Sequence, residues 1–184
     1  IGVGASRFHT GGNEGAADTV YLGTFYKPAV SAVGGYDEEF TRAQDWEMNY
    51  RLRQAGGLVY FDPRLVVIYR PRKRIAELGK QYFEYGRWRR AVSRRYPETI
   101  NFRYLAPPTA VVVSFISIVG SFFKPQLVLP FVIYLLSLLI GSLFIGKSWE
   151  ERFRLPLVLF TMHMSWGIGF LTSPRKLARG NLST

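Results

Sequence analysis

The chain has 184 residues, a formal net charge of +11, no cysteine and two histidines. Without cysteine, disulfide bonds and thiolate chemistry are excluded, and with His9 and His163 far apart a His/Cys zinc cluster has no ligands. The length suits one compact domain with an appendage.

The first segment, residues 1–17, is rich in glycine and polar residues and is predicted to form a loop. Arg7 would be able to meet a phosphate if this loop belongs to an active site, but an ordinary loop is the favoured interpretation. The segment has no initiator methionine, charged n-region or cleavage site, so no signal peptide is visible. We therefore expect the chain to begin inside a domain.

Three short runs of β-branched and aromatic residues predict strands at residues 19–26, 58–61 and 65–69. A short helix is predicted from Ala29 to Val33, after Pro28 ends the first strand. Strands that alternate with helices indicate a mixed α/β sheet. Three short strands do not complete such a sheet, so we expect further strands before Ile1.

A glycine turn, an acidic loop and a short helix lie between the first two predicted strands. The turn is Gly34-Gly35, the loop contains Asp37 and Glu38, and Asp45 falls in the first turn of the helix. Apolar residues support the helix at i, i+4 and i+7, namely Met48, Leu52 and Ala55. Gly56-Gly57 supply the left-handed residue that commonly ends a helix. Asp45 is therefore either a capping residue, favoured by the helix dipole, or a functional carboxylate.

This arrangement resembles the C-terminal half of the catalytic domain of family 2 glycosyltransferases, and most closely the membrane-attached succinoglycan-type exopolysaccharide transferases. In that family a Gly-Gly-aromatic-Asp-Glu loop precedes a Glu-Asp or Gln-Asp pair at the head of a helix, here Gln44-Asp45. The resemblance extends through residues 81–90 to the apolar tail. It implies the C-terminal half of a GT-A mixed-sheet α/β domain over residues 1–72, followed by an interfacial helix and two to three transmembrane helices.

The resemblance also implies roles for individual residues. Asp45 matches the general base that deprotonates the acceptor hydroxyl in an inverting transfer. The implied substrate-binding residues are Asp37, Glu38, Gln44, Gln81, Arg87 and Trp88. The last three are similar to a Gln-x-x-Arg-Trp motif that binds the growing chain and the diphosphate, but here five residues separate Gln81 from Arg87. This spacing favours single addition over processive synthesis, and the usual residues of an amphipathic helix are the alternative interpretation.

Related enzymes hold the donor diphosphate with a divalent metal, Mg²⁺ or Mn²⁺, bound by an Asp-x-Asp pair. The chain contains no Asp-x-Asp. Asp45 and Glu47 have a similar spacing, but on a helix their side chains diverge by about 200°. We therefore predict no metal site here, expect the ligands before Ile1, and expect this chain alone to be inactive.

Residues 73–96 predict a long amphipathic helix, which Pro97 closes and which a linker continues to residue 105. Between Arg70 and Arg95 there are ten basic residues against two acidic ones. This helix either lies in the membrane interface or is a buried helix with one solvated charged face. Gly79 and Gly86 beside its apolar stripe would allow another backbone to approach closely. Nucleic acid is not the predicted partner, because it would not explain the apolar spans that follow.

Two uncharged stretches, residues 106–123 and 125–146, are each long enough to cross a membrane, and Lys124-Pro125 would form the turn between them. Residues 153–171 are a third candidate span before the basic tail, residues 172–184. The basic residues between Arg70 and Arg95 should be cytoplasmic, which places Lys124 outside and residues 147–154 inside. A third crossing would put the basic tail outside, against this rule. The third segment is therefore re-entrant or interfacial, or the tail is an exception, or spans outside this chain shift the count.

Taken together, the residues predict a multi-pass protein of the inner membrane with its catalytic part in the cytoplasm. The resemblance implies that it transfers a sugar from a nucleotide-sugar donor to a lipid-linked or polysaccharide acceptor, in contact with membrane lipid. The alternative is a non-catalytic scaffold that binds anionic lipid through residues 70–95 and does not need Asp45. A transport protein would carry more ionisable residues within its spans.

Overall fold

The computed structural model describes residues 12–20, 22–66 and 74–177. The chain divides into two compact units. Residues 1–70 and 176–184 form the first, here called the loop unit, and residues 71–175 form the second, here called the helical unit.

The loop unit contains two short strands and two helices. They are β1 (Gly15–Ala16), α1 (Lys27–Ala32), α2 (Gln44–Gln54) and β2 (Tyr60–Phe61). The strands pair antiparallel, with Gly15 opposite Phe61. This pair is the whole of the sheet within the described residues, so the predicted mixed sheet is not seen there.

The strand predicted at residues 19–26 is wrong for the residues that the structure describes. Leu22 adopts a left-handed backbone with φ of 52°, which is incompatible with an extended strand. Only two residues of the second predicted strand pair, as β2. Of the third, Leu65 and Val66 are irregular, while residues 67–69 lie outside the described residues, as does Arg7 of the predicted loop.

Helix α2 confirms the predicted position of the central helix, and Gly56 follows it with φ of +84°. Its buried face differs from the prediction. Met48 and Leu52 are buried as expected, but Ala55 is exposed and the polar Glu47 and Asn49 are buried instead. An ion pair, described below, explains how Glu47 is accommodated.

The helical unit consists of four long helices. They are α3 (Ile75–Arg95), α4 (Phe102–Ser121), α5 (Leu129–Ile145) and α6 (Trp149–Leu171), with 3₁₀ turns at Pro97–Thr99 and Pro125–Val128. Helix α3 confirms the predicted amphipathic helix, and the turn after Lys124 confirms the predicted hairpin between two apolar helices.

Helices α3 and α6 pack closely because glycines remove the side chains between their backbones. A Cβ built on Gly86 would lie 2.0 Å from the Trp166 carbonyl oxygen, and one on Gly169 would lie 2.0 Å from the Phe83 carbonyl oxygen. A Cβ on Gly79 would lie 3.2 Å from Ser165 Oγ. The prediction of close backbone approach is therefore confirmed for Gly86, whereas the neighbours of Gly79 are the side chains of Ser165 and Thr161.

Two arginines and three aromatic rings stack on one another at this interface. Arg89 lies 3.7 Å from the centre of the Tyr104 ring, and Arg90 lies 4.9 Å from the centre of the Phe170 ring. Between them Tyr104 stacks on Trp166, and Trp166 stacks on Phe170 with centroids 5.3 Å apart. These cation–π contacts fasten α3 to both α4 and α6.

Two helical stretches among the described residues are long and apolar enough to cross a membrane, Phe102–Ser121 and Pro125–Ile145. Their burial is inverted relative to a soluble protein. Serines are buried at 114, 117 and 142, while large apolar side chains such as Phe115 and Phe144 are exposed. Small residues inside and large apolar residues outside are the pattern of helices packed in lipid.

Helix α6, the third predicted span, does not share this character. It runs parallel to α3: a Cβ on Gly79 near the start of α3 would lie 3.4 Å from the Thr161 side chain, and Arg94 near its end donates to the Ser173 carbonyl at 2.8 Å. Helix α3 carries six basic and two acidic residues. A helix with that many charges is costly to place across hydrocarbon, so the pairing favours the interfacial or re-entrant alternative for α6.

Candidate functional site

The glycine turn is tied to α2 by one arginine. Gly34 and Gly35 both have positive φ, 79° and 72°, which glycine adopts without strain. Arg51 donates from Nη2 to the Gly35 carbonyl at 2.7 Å and from Nη1 to the Val33 carbonyl. The acidic loop therefore leaves the turn in a direction that α2 sets.

The same arginine forms a bidentate ion pair with Glu47. Arg51 Nε and Nη2 each donate to a different oxygen of the carboxylate at 2.7 Å. The Glu47 side chain is only 1% exposed, so the pair neutralises a charge that would otherwise be costly to bury. Glu47 therefore has a structural role. Its i, i+4 spacing from Arg51 is the sequence signal that would have indicated it.

Asp45 is an exposed carboxylate at the second position of α2. The residue before the helix is Ala43, in the left-handed conformation with φ of 61° and without a side-chain cap, so Asp45 is not the N-cap. As a first-turn acid it still interacts favourably with the helix dipole. Its side chain is therefore accessible to a substrate hydroxyl.

Tyr36 joins the acidic loop to Asp45. Its hydroxyl donates to Asp45 Oδ1 at 3.3 Å. Burial raises the pKa of Tyr36 above 10, and the charge of Asp45 and this hydrogen bond raise it further. The phenol is consequently neutral and able to donate at physiological pH.

The other acidic-loop residues, Asp37 and Glu38, differ in their surroundings. Asp37 Oδ1 accepts from the Glu39 amide at 3.0 Å, and the Asp37 carbonyl accepts from the Phe40 amide at 3.0 Å. Phe40 is buried and anchors the loop, while Glu38 is exposed. Asp37 thus shapes the loop, and Glu38 presents a carboxylate to solvent.

The remaining predicted substrate-binding residues lie in two places. Gln44 is the first residue of α2, next to Asp45. Gln81, Arg87 and Trp88 belong to α3 in the helical unit. Gln81 Nε2 donates to the Tyr85 hydroxyl at 2.5 Å, and Arg87 pairs with Glu84 at 2.8 Å. Trp88 is only 6% exposed, which favours the packing interpretation for its ring.

Metal-binding residues do not gather in the described part of the chain. Within residues 12–20, 22–66 and 74–177, no group of three or more His, Cys, Asp or Glu side chains is placed to hold an ion. The donor set present therefore does not fit a divalent metal.

A search of known proteins gives one informative relation. The chain is 27% identical over 173 residues to the succinoglycan biosynthesis protein ExoA of Rhizobium meliloti (strain 1021). The alignment covers 92% of this chain and 52% of that protein, so the chain spans about half the length of the curated relative it matches. No family model matches the chain, and no solved structure does. The relative is thus distant, but it is similar over nearly all of this chain.

Proposed function

We propose that the chain is the acceptor-side and membrane-attached part of an inverting glycosyltransferase of exopolysaccharide synthesis. The observation that carries the proposal is the exposed carboxylate of Asp45 at the head of α2, held beside the acidic loop by Tyr36. Similarity over 92% of the chain to a succinoglycan biosynthesis protein supports the same assignment.

In this reaction Asp45 accepts the proton of the acceptor hydroxyl as that oxygen attacks the anomeric carbon. The sugar–phosphate bond breaks on the opposite face, and the nucleoside diphosphate leaves with its electron pair, which inverts the anomeric configuration. A positioned carboxylate base contributes about 10²–10⁴-fold in rate. Gln44, next to Asp45 at the start of α2, and the acidic-loop residues Asp37 and Glu38 would contact the acceptor.

The donor half of the site is proposed to lie outside this chain. The full-length enzyme would use Mg²⁺ or Mn²⁺ bound by residues elsewhere, since the described residues supply no ligand cluster. On this proposal the chain by itself is inactive. Gln81, Arg87 and Trp88 remain proposed binding residues.

We also propose a membrane arrangement, which the two apolar helices of the helical unit support. Helices α4 and α5 form a hairpin that crosses the inner membrane, and the basic α3 with its partner α6 lies at the cytoplasmic surface, where anionic lipid attracts it. A lipid-linked or polysaccharide acceptor would meet the catalytic part at this face.

Transfer of labelled sugar from a panel of nucleotide sugars, in membranes that contain the complete gene product, tests the proposal. Asp45→Asn keeps the size of the side chain and removes the base, so transfer should fall 10²-fold or more at equal membrane levels. Asp18→Asn is the matched control, because Asp18 is an 87% exposed carboxylate of the same unit. Equal transfer by the two variants would refute the role of Asp45.

The same experiment separates the enzyme from the lipid-binding scaffold. If the unsubstituted protein transfers no sugar from any donor, the glycosyltransferase proposal fails. Flotation with anionic and with neutral vesicles would then decide whether the basic face of α3 binds lipid by charge.

A further inference from the structure

Arg51 makes four side-chain hydrogen bonds from α2, the central helix of the loop unit. It makes two bonds to Glu47 and two to backbone carbonyls, and the carbonyls belong to Val33 and Gly35, on either side of Gly34. Only the planar, forked guanidinium offers donors in this arrangement.

The turn that Arg51 contacts is closed by two backbone hydrogen bonds: the Gly34 amide donates to the Ser31 carbonyl at 3.0 Å, and the Gly35 amide donates to the Val30 carbonyl at 2.9 Å. Gly34 and Gly35 both occupy the positive-φ region, and a Cβ built on either would meet no atom within 4 Å, so neither glycine is required by crowding. Glycine is the residue with the widest backbone freedom. The two backbone bonds fix the turn to the end of α1, and the hydrogen bonds from Arg51 attach it to α2.

The next residue along the chain is Tyr36, whose hydroxyl reaches Asp45. Arg51 lies six residues after Asp45 on the same helix. The turn is thus attached to α2 at two points, through Arg51 on the inner side and through Tyr36 at the head of the helix. A rotation of the turn would move both Tyr36 and the acidic loop away from Asp45.

We propose that Arg51 is a positioning residue, which fixes the glycine turn and the acidic loop relative to Asp45 so that the acceptor hydroxyl and the base meet in reactive geometry. The inference rests on the proposed function. Arg51 does not touch the reacting atoms and acts through the carbonyls of the turn. A misplacement of about 1 Å at a reacting centre can cost 10²-fold in rate.

The test compares Arg51→Lys with Arg53→Lys in the complete gene product. Lysine keeps the charge opposite Glu47 but lacks the fork that reaches both carbonyls. Arg53 is the matched control on the same helix: it pairs with Asp18 at 3.6 Å and lies over the Tyr50 ring. We expect Arg51→Lys to lower kcat by about 10- to 100-fold with the KM for the donor unchanged, and Arg53→Lys to leave both unchanged.

A distance measurement gives a readout that does not depend on activity. The chain has no cysteine, so Glu38→Cys and Gln54→Cys can carry a pair of spin labels, one on the acidic loop and one at the end of α2. In a cysteine-free background, pulsed electron paramagnetic resonance should show a narrow distance distribution. Arg51→Lys should broaden or shift it, and Arg53→Lys should not.

An unchanged distribution with Arg51→Lys would overturn the inference, whatever happens to transfer. A broadened distribution with unchanged transfer would overturn the positioning role. Loss of transfer that only follows loss of folded protein, judged by membrane level and thermal melting, would reduce Arg51 to a structural residue. Absence of transfer in the unsubstituted protein would instead refute the proposed function, while the distances would still decide whether Arg51 holds the turn.

Discussion

The glycine contacts between α3 and α6 lead to a quantitative prediction for Gly86→Ala. The added Cβ would lie 2.0 Å from the Trp166 carbonyl oxygen and 2.8 Å from the Phe170 amide nitrogen, whereas ordinary contact begins at 3.4 Å. The helices must therefore separate by about 1.4 Å. Both neighbouring atoms belong to backbone, so no side-chain rotation relieves the overlap.

The cost follows from packing. Overfilling a packed site costs about 1–3 kcal/mol, and a gap of 0.5–1 Å forfeits about a quarter to a half of each dispersion contact around it. Alanine regains about 1 kcal/mol in helix propensity over glycine. Because the overlap is with backbone atoms, we take the upper end of the cost of about 1–3 kcal/mol and expect the free energy of unfolding to fall by a net value of about 2 kcal/mol. For a chain of this size, this lowers Tm by about 4–8 °C.

Gly141→Ala is the matched control. Gly141 also lies inside a helix, α5, but a Cβ built there meets no atom within 4 Å. In detergent, Gly86→Ala should lower the Tm by the amount given above, and Gly141→Ala should not lower it. Oxidative cross-linking of Gly79→Cys with Ser165→Cys should also weaken when Gly86→Ala is added, because the helices move apart. Equal melting and equal cross-linking of the two alanine variants would refute this account of the interface.

Three further predictions concern single residues. The pKa of Tyr36 is raised in the folded state, so the stability that its neutral phenol contributes is complete below pH 10 and is lost as the pH rises through the folded pKa. Asp45→Asn should return the pKa of Tyr36 towards 10. Phenolate absorbance, with Tyr36→Phe as the reference, measures this shift. Ala43→Gly should relieve the strain of the left-handed backbone at φ of 61° and raise the free energy of unfolding by about 0.5–1 kcal/mol, as measured by thermal melting. A lower free energy of unfolding would show that Ala43 is not strained. Lys124→Cys should react with a membrane-impermeant thiol reagent from outside, and Arg175→Cys only from inside, if α6 does not cross the membrane.

The helices could be predicted from the sequence where helical periodicity agreed with a glycine or proline at the helix end. Gly56 ends α2 and Pro97 follows α3, because one admits positive φ and the other cannot continue a helix. The strand at residues 19–26 failed because side-chain type does not report that Leu22 turns into the left-handed region. The apolar and β-branched residues around Leu22 are equally compatible with a strand and with an irregular segment.

The candidate site was only partly predictable for a related reason. Asp45 and the glycine turn stand out as a pattern, but their connection depends on tertiary contacts. From the sequence, Glu47 is notable only for its spacing from Asp45, whereas the structure buries it against Arg51. The residue supposed to complete the apolar stripe, Ala55, is exposed.

The pairing of α3 with α6 also sets an order of events during synthesis. Gly86 and Trp166 touch although 80 residues separate them in the chain. At about 5–20 residues per second, the ribosome needs about 4–16 s to produce α6 after α3 has emerged. Throughout that interval the glycine face of α3 has no partner, while the α4–α5 hairpin can already enter the bilayer. On the proposed membrane arrangement, the hairpin would therefore enter the bilayer before α6 packs against α3.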